Sequence, residues 1–210
     1  PSDNPLIVHI SSFAEWEPLV QTIPEKAKKI ADAFWPGPLT IILPKSDLVP
    51  NRTSGNLATV AVRMPAHPAA RAIIAASGLP LAAPSANISG FPSPTKAEYV
   101  IDDMNGRIDM IVDGGDSAVG VESTVITFAG DMPEILRPGG ITPEQIEGVI
   151  GKIRINSAVL HPLQSGEKAE SPGMKYKHYA PKAQITIYTG SKKGYFRLLE
   201  EKKAEGVYAL

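Results

Sequence analysis

The sequence predicts an α/β fold: a twisted mixed sheet with flanking helices, then a linker and the start of a second α/β domain. Three features predict it: β-rich runs alternate with helical periodicities, two segments carry helix-start signatures, and one tight turn joins two adjacent β-rich runs. The runs are Leu6–His9, Leu39–Leu43, Val60–Arg63, Pro80–Ala83, Met110–Val112, Ser123–Phe128 and Ile135–Leu136. Between them, Ala27, Ile30, Ala31, Phe34 and Trp35 follow i, i+3, i+4, i+7, i+8 and make one apolar helix face. That helix should end where Pro36-Gly37-Pro38 breaks it.

Thr95 with Glu98 reads as a capping box, and Thr142 with Gln145 as another, with Pro143 at the first helical position and Gly151 at the end. His67 stands at a helix start, where capping is its expected role. Ser123–Phe128 and Pro133–Leu136 flank Ala129-Gly130-Asp131 and read as a hairpin, so the sheet is expected to be mixed. The expected divisions are a domain over residues 1–155, a linker or lid over 156–182, and the opening of a second α/β domain over 183–210. In that last part Gln184–Tyr188 reads as a strand, Lys192–Lys203 as a helix and Gly206–Leu210 as another strand.

Composition narrows the function classes. In 210 residues, 43% are hydrophobic and 20% charged, which excludes disorder as the main state. No apolar run approaches the roughly 20 residues of a membrane-spanning helix. The absence of cysteine removes disulfides, cysteine-ligated zinc and any thiol nucleophile, and fits a cytoplasmic protein. A net charge of -1 gives no bulk attraction to nucleic acid. The chain opens with Pro1 rather than Met, which reads as a fragment of a longer protein.

Residue chemistry points to an anion. The stretch Pro80–Thr95 ends an apolar strand and runs through small hydroxyl, amide and glycine residues toward a helix. Ser85, Asn87, Ser89 and Ser93 offer donors there, in the kind of loop where open α/β sheets bind ligands. A Pro/Ser-rich turn that satisfies its own backbone is the plainer alternative. In Thr59–Arg63, alternation sends Thr59, Ala61 and Arg63 to one face and Val60 and Val62 to the other. An arginine in an apolar strand requires an anionic partner, either a ligand or a structural Asp or Glu. Arg137 stands at a second strand end, and Ser123 and Thr124 head a third after a Gly-rich turn. His9 closes the first strand. No His/Asp/Glu spacing suggests a protein-built metal site, and no Ser–His–acid grouping stands out.

Taken together, several stretches resemble the YrdC-like family of threonylcarbamoyl-AMP synthases, in the long form with an extra C-terminal domain. They are Asn4–His9, Trp35–Thr40, Thr59–Pro65, Ala83–Gly90, Glu122–Val125 and Arg137–Gly139, with Ser171–Pro181 similar to the long form's interdomain segment. The resemblance implies an enzyme that joins L-threonine, bicarbonate and ATP to give threonylcarbamoyl-AMP and pyrophosphate. A separate transferase would then modify adenosine 37 of tRNA.

By the same resemblance, Asn4, Thr59, Ser85, Asn87, Ser93 and Arg137 would hold ATP. His9, Arg63, the backbone at Ala83, and Ser123 would hold threonine. Lys175, His178 and Tyr179 would form a lid. No side chain need serve as nucleophile, and Mg²⁺ would arrive with ATP. The family's Lys-x-Arg element precedes the position of Pro1 and is not in this chain, so weak activity or none is expected of the chain by itself.

Two other readings compete. One is a carbamoyl-AMP-forming domain of hydrogenase maturation proteins, which the zero cysteines disfavour. The other is a double-stranded RNA-binding or ribosome-associated module without catalysis, disfavoured by the charge and by the lack of interleaved basic and aromatic residues.

Overall fold

The computed structural model describes residues 4–159 and 187–203. The chain divides into two compact units, Pro1–Ala180 and Pro181–Leu210. The first unit is built on a seven-stranded mixed sheet of order β4-β1-β3-β2-β5-β6-β7. Its strands are β1 Ile7–His9, β2 Leu39–Pro44, β3 Thr59–Arg63, β4 Leu81–Ala83, β5 Thr124–Thr127, β6 Glu134–Arg137 and β7 Arg154–Ile155. Parallel pairs β1–β3, β2–β5 and β6–β7 alternate with antiparallel pairs, so the expected mixed sheet is found. The helices are α1 Glu25–Phe34, α2 Pro68–Ser77, α3 Ala97–Met104 and α4 Pro143–Ile150. In the second unit, the described residues hold the expected helix as α5, Lys192–Lys203.

Strand alternation gives the sheet two unlike faces. Val8, Leu39, Ile41, Leu43, Val60, Val62, Ile126 and Ile135 point to one side and share a core cluster with Ala27, Ile30 and Ala31 of α1 and Ile146 and Ile150 of α4. The large β-branched side chains on this face and the apolar stripes of both helices make the main core. The opposite face carries a smaller cluster of Ile42, Ala61, Val125 and Leu136, with Ile7 packed against it.

Local signals explain most element ends. α1 stops at Phe34, so Trp35 falls one residue past the helix rather than inside it. Trp35 is nevertheless buried, donating its indole N–H to the Leu39 carbonyl at 2.7 Å and packing edge-on against Trp16. His67 caps α2, its Nδ1 accepting the Ala69 N–H at 3.2 Å. At α4 both halves of the capping box form, Thr142 and Gln145 each bonding the other's backbone N–H.

Three expectations fail. The Thr95 box does not form, because Lys96 is extended (φ -138°, ψ 152°) and is itself the capping residue; Glu98 pairs with Lys96 instead. Met110–Val112 is not a strand. Met110 and Val112 are exposed, and the segment is held off the sheet, with the Gly114 carbonyl on His67 and the Ser117 N–H on the Thr95 carbonyl. Of Gln184–Tyr188, the two described residues, Ile187 and Tyr188, form no strand. Gly206–Leu210 lies outside the described residues. β7 and the body of α2 went unrecognised in the sequence.

The two threonines that read alike in the sequence should therefore differ in denaturant unfolding. Thr142→Ala is expected to cost about 1 kcal/mol, the usual worth of a lost N-cap. Thr95→Ala should cost less than half as much; equal losses would contradict the capping assignment.

Candidate functional site

The smaller-residue face of the sheet gathers the charged side chains. Arg63 ends β3 on the same face as Ala61, and His9 pairs directly with it across the parallel β1–β3 ladder. In the antiparallel β2–β3 ladder Ile41 faces Val62, which brings Thr40 level with Arg63. Thr40 in turn pairs with Val125, and Val125 with Arg137. Residues distant in sequence thus form one row across the strands.

Arg137 joins the row through a β-bulge. Val125 pairs with Arg137 but Ile126 pairs with Ile135, leaving Leu136 as an extra residue in β6. A bulge of this kind re-aims side chains, and Leu136 and Arg137 both turn toward the face of Val125. Arg137 donates from Nε and Nη2 to the Ser123 carbonyl (3.1 and 2.9 Å), and from Nη2 to Ser123 Oγ at 2.9 Å. Ser123 Oγ lies 2.8 Å from Thr40 Oγ1, both buried. Nη1 of Arg137 meets Glu122 Oε2 at 2.9 Å. Gly139 makes this corner possible, since a Cβ there would stand 2.3 Å from the Glu122 carbonyl oxygen.

The electrostatics of the row favour an anion. Arg63 donates its Nε–H to the Gly37 carbonyl at 3.1 Å, and among the described residues it forms no ion pair with a carboxylate. The structural ion pair considered from sequence is therefore absent there. Burial lowers the pKa of Arg63, and the nearby Arg137 lowers it further. Burial also lowers that of Arg137, while Glu122 opposes the shift. Guanidinium groups stay charged under such shifts, so two cations share the row, and among the described residues Glu122 is the carboxylate paired with one of them, Arg137. His9 adds no charge, because burial and then the Arg63 charge push its pKa from 6.5 down to about 4, against smaller opposing effects from the backbone of Leu81 and Ile7.

The loop after β4 closes toward this row. β4 runs antiparallel to β1, with Ala83 opposite Ile7, so the loop leaves at the end of the sheet where Asn4 enters β1 and Thr59 begins β3. Asn4 and Thr59 therefore sit together at one end, and His9 and Arg63 at the other. Asn87 staples the loop, its Nδ2 donating to the carbonyls of Ile88 and Phe91, both at 2.9 Å. Ser85 is exposed. Ser93 returns to the row, donating to Glu122 Oε1 at 3.1 Å. Arg137, grouped with the nucleotide contacts from sequence, stands in the same row as Arg63.

Unsatisfied groups occur at both ends of these strands and in the loop. Five buried polar side-chain atoms among the described residues lack a partner, and three of them are Asn4 Oδ1, His9 Nδ1 and Asn87 Oδ1. Buried polar atoms are nearly always bonded, and a ligand is one way such atoms find partners. Two cavities flank the loop, one of about 290 Å³ lined by Ala86, Lys96, Met110 and Gly114, the other of about 400 Å³ lined by Phe91, Ser93 and Tyr99. Neither contains the arginines, so chemistry rather than cavity volume places the site on the row. Among the described residues there is no cluster of three or more groups able to hold a metal. Lys175, His178 and Tyr179 lie outside the described residues.

Comparison with known proteins identifies the family. The Sua5, YciO and YrdC family model, described as telomere recombination, matches residues 1–139. The chain belongs to this family. The model of the threonylcarbamoyl-AMP synthase C-terminal domain matches residues 141–209. The chain is 55% identical over 207 residues to the threonylcarbamoyl-AMP synthase of Bacillus subtilis, covering 98% of itself and 59% of that protein. It is 53% identical over 201 residues to that of Pyrococcus abyssi, covering 96% and 58%. It thus spans about three fifths of the length of these relatives. The crystal structure of P. abyssi Sua5 complexed with L-threonine superposes with a TM-score of 0.90 at 52% identity, over 98% of this chain and 61% of that one.

The His9 environment can be read directly from imidazole nitrogen NMR. The ring is expected to titrate at about 4, and Arg63→Ala should raise the midpoint while burial keeps it below 6.5. Because the folded value lies below the unfolded one, the unfolded chain binds the extra proton between them. Stability should therefore fall as pH drops from 6.5 toward 4. A midpoint near 6.5 would contradict the buried placement.

Proposed function

We propose that the chain carries the substrate site of a threonylcarbamoyl-AMP synthase, joining L-threonine, bicarbonate and ATP with release of pyrophosphate. The observation that carries this reading is the row of His9, Arg63, Ser123 and Arg137, in which two guanidinium groups stand near each other and, among the described residues, only Arg137 is paired with a carboxylate. The names of the relatives and the threonine complex of the P. abyssi protein support it.

In this reading the threonine carboxylate takes the free fork of Arg63 in a bidentate pair. His9, neutral at pH 7, accepts a hydrogen bond at its unpartnered Nδ1 without adding repulsion beside Arg63. Ser123 and the backbone at Ala83 complete the amino-acid contacts. Asn4, Thr59, Ser85, Asn87 and Ser93 hold the nucleotide along the loop, and Arg137 faces its phosphates.

Threonine and bicarbonate form a carbamate with loss of water. A carbamate oxygen then attacks the α-phosphorus of ATP, forming the new O–P bond as the bond to the bridging oxygen of the β-phosphate breaks. Pyrophosphate takes the electron pair. The protein supplies position and positive charge rather than a nucleophile. Mg²⁺ enters with the triphosphate. A separate enzyme would move the threonylcarbamoyl group to tRNA, and a cytoplasmic location fits that role. No helix among the described residues is long and apolar enough to cross a membrane.

Pyrophosphate release from ATP, with threonine or bicarbonate omitted in turn, tests the reading on this chain and on a version extended to the length of its relatives. Release that needs both co-substrates is expected, and release indifferent to threonine in the extended chain would overturn it. Within that assay, Arg63→Ala should raise the threonine KM about 10- to 100-fold, the worth of a charged hydrogen bond, with a smaller change for ATP. Equal losses for both would remove the carboxylate role of Arg63.

A further inference from the structure

Glu122 is used on both of its carboxylate oxygens. Oε1 accepts from Ser93 of the β4–α3 loop at 3.1 Å, and Oε2 meets Arg137 Nη1 at 2.9 Å. The side chains of Arg137 and Glu122 are 15% and 26% exposed, so the pair is shielded well beyond an ordinary surface ion pair. Its backbone is fixed independently: the Glu122 carbonyl accepts the Gly140 N–H at 3.0 Å, Gly139 packs against it, and the Thr124 N–H bonds the Pro38 carbonyl at 2.9 Å. A carboxylate anchored in this way is a fixed post on the sheet, while the loop it holds is a long irregular segment also tied to α3 through Ile88 N–H and Asp103 Oδ2 at 3.1 Å.

We propose that Glu122 is a positioning residue that couples the loop to the cationic row, one oxygen holding Ser93 and the other orienting Arg137, so that the nucleotide subsite assembles as a unit. The proposal rests on the function read above for the nucleotide subsite, but its structural core does not need catalysis to be tested. Glu122 does not touch the reacting atoms. It acts by limiting where Ser93 and Arg137 stand, and by keeping two neighbouring guanidinium groups from repelling each other unopposed.

Amide hydrogen exchange on this chain tests the coupling. Glu122→Ala and Ser93→Ala should each speed exchange in the 85–93 loop about tenfold, with α1 amides within about twofold of wild type, and the double variant should add little to either single one. Glu122→Gln, which can still bridge both partners through its amide, should restore loop protection. In calorimetric titration, Glu122→Ala should weaken ATP binding about tenfold and threonine binding less than about twofold.

Unchanged loop exchange, additive effects in the double variant, or an equal rise in the loop and α1 would overturn the proposal. If Glu122→Ala does not fold, Ser93→Ala and Glu122→Gln decide it in the same way. An extended chain without threonine-dependent pyrophosphate release would count against the function, whereas the exchange result on this chain decides the role of Glu122.

Discussion

Two guanidinium groups held half-buried on one sheet face, one of them tied through Glu122 to the loop, are the constraint to which the surrounding structure answers. Removing an arginine from water is tolerated only if its donors are met, and a second arginine nearby adds repulsion. Arg137 is met by Ser123, which is itself bonded to Thr40, and by Glu122. Arg63 is met on one side by Gly37, which cannot be another residue because a Cβ would lie 2.2 Å from the Phe34 carbonyl oxygen. In the proposed reading a substrate anion takes the remaining donors of Arg63. His9 fits the same logic, since a neutral ring is the form that burial beside Arg63 permits.

The two faces of the sheet are packed unequally. The larger aliphatic cluster lies on one side of the sheet with α1 and α4, where Ile30, Ile146, Val8, Ile41, Val60 and Val62 are fully or nearly fully buried. The other face carries Ala61, Ala83, Thr40 and Ser123 among its charged residues, beside the smaller cluster of Ile42, Val125 and Leu136. The bulge in β6 and the close packing of Gly139 are the two backbone devices that bring Arg137 onto the second face rather than the first.

Much of the fold was legible in the sequence because it is written locally. Period-two alternation in Thr59–Arg63 assigned Val60 and Val62 to one face and Ala61 and Arg63 to the other, as the strand pairings have it, and the Pro-Gly-Pro after Trp35 marked the end of α1. The failures have local causes as well. Met110–Val112 has the composition of a buried strand but is too short for its periodicity to show which way it faces. Thr95 and Glu98 have capping-box spacing, yet the chain stays extended through Lys96. β7, two residues long, leaves no pattern to read.

The site was less legible, because its row is a matter of register. Nothing in the neighbourhood of His9 says that it pairs with Arg63, and nothing near Arg137 announces the bulge. The family resemblance supplied roles for these residues, and the strand pairings supply their adjacency. Glu122 was quoted within a motif without a role. The available signal was an acid at a strand head close to an arginine that had to be paired, but two candidate arginines left the choice open.

The measurement closest to the central claim is an NMR titration of L-threonine into the chain, following backbone amides together with arginine Nε–H and histidine ring signals. If the charged row is the amino-acid site, the largest shifts fall on Arg63 Nε–H, His9 and the amides around Ser123, and Arg63→Ala abolishes them. Saturable shifts confined to the cavity beside Met110 and Gly114, with Arg63 and His9 unmoved, would contradict the account.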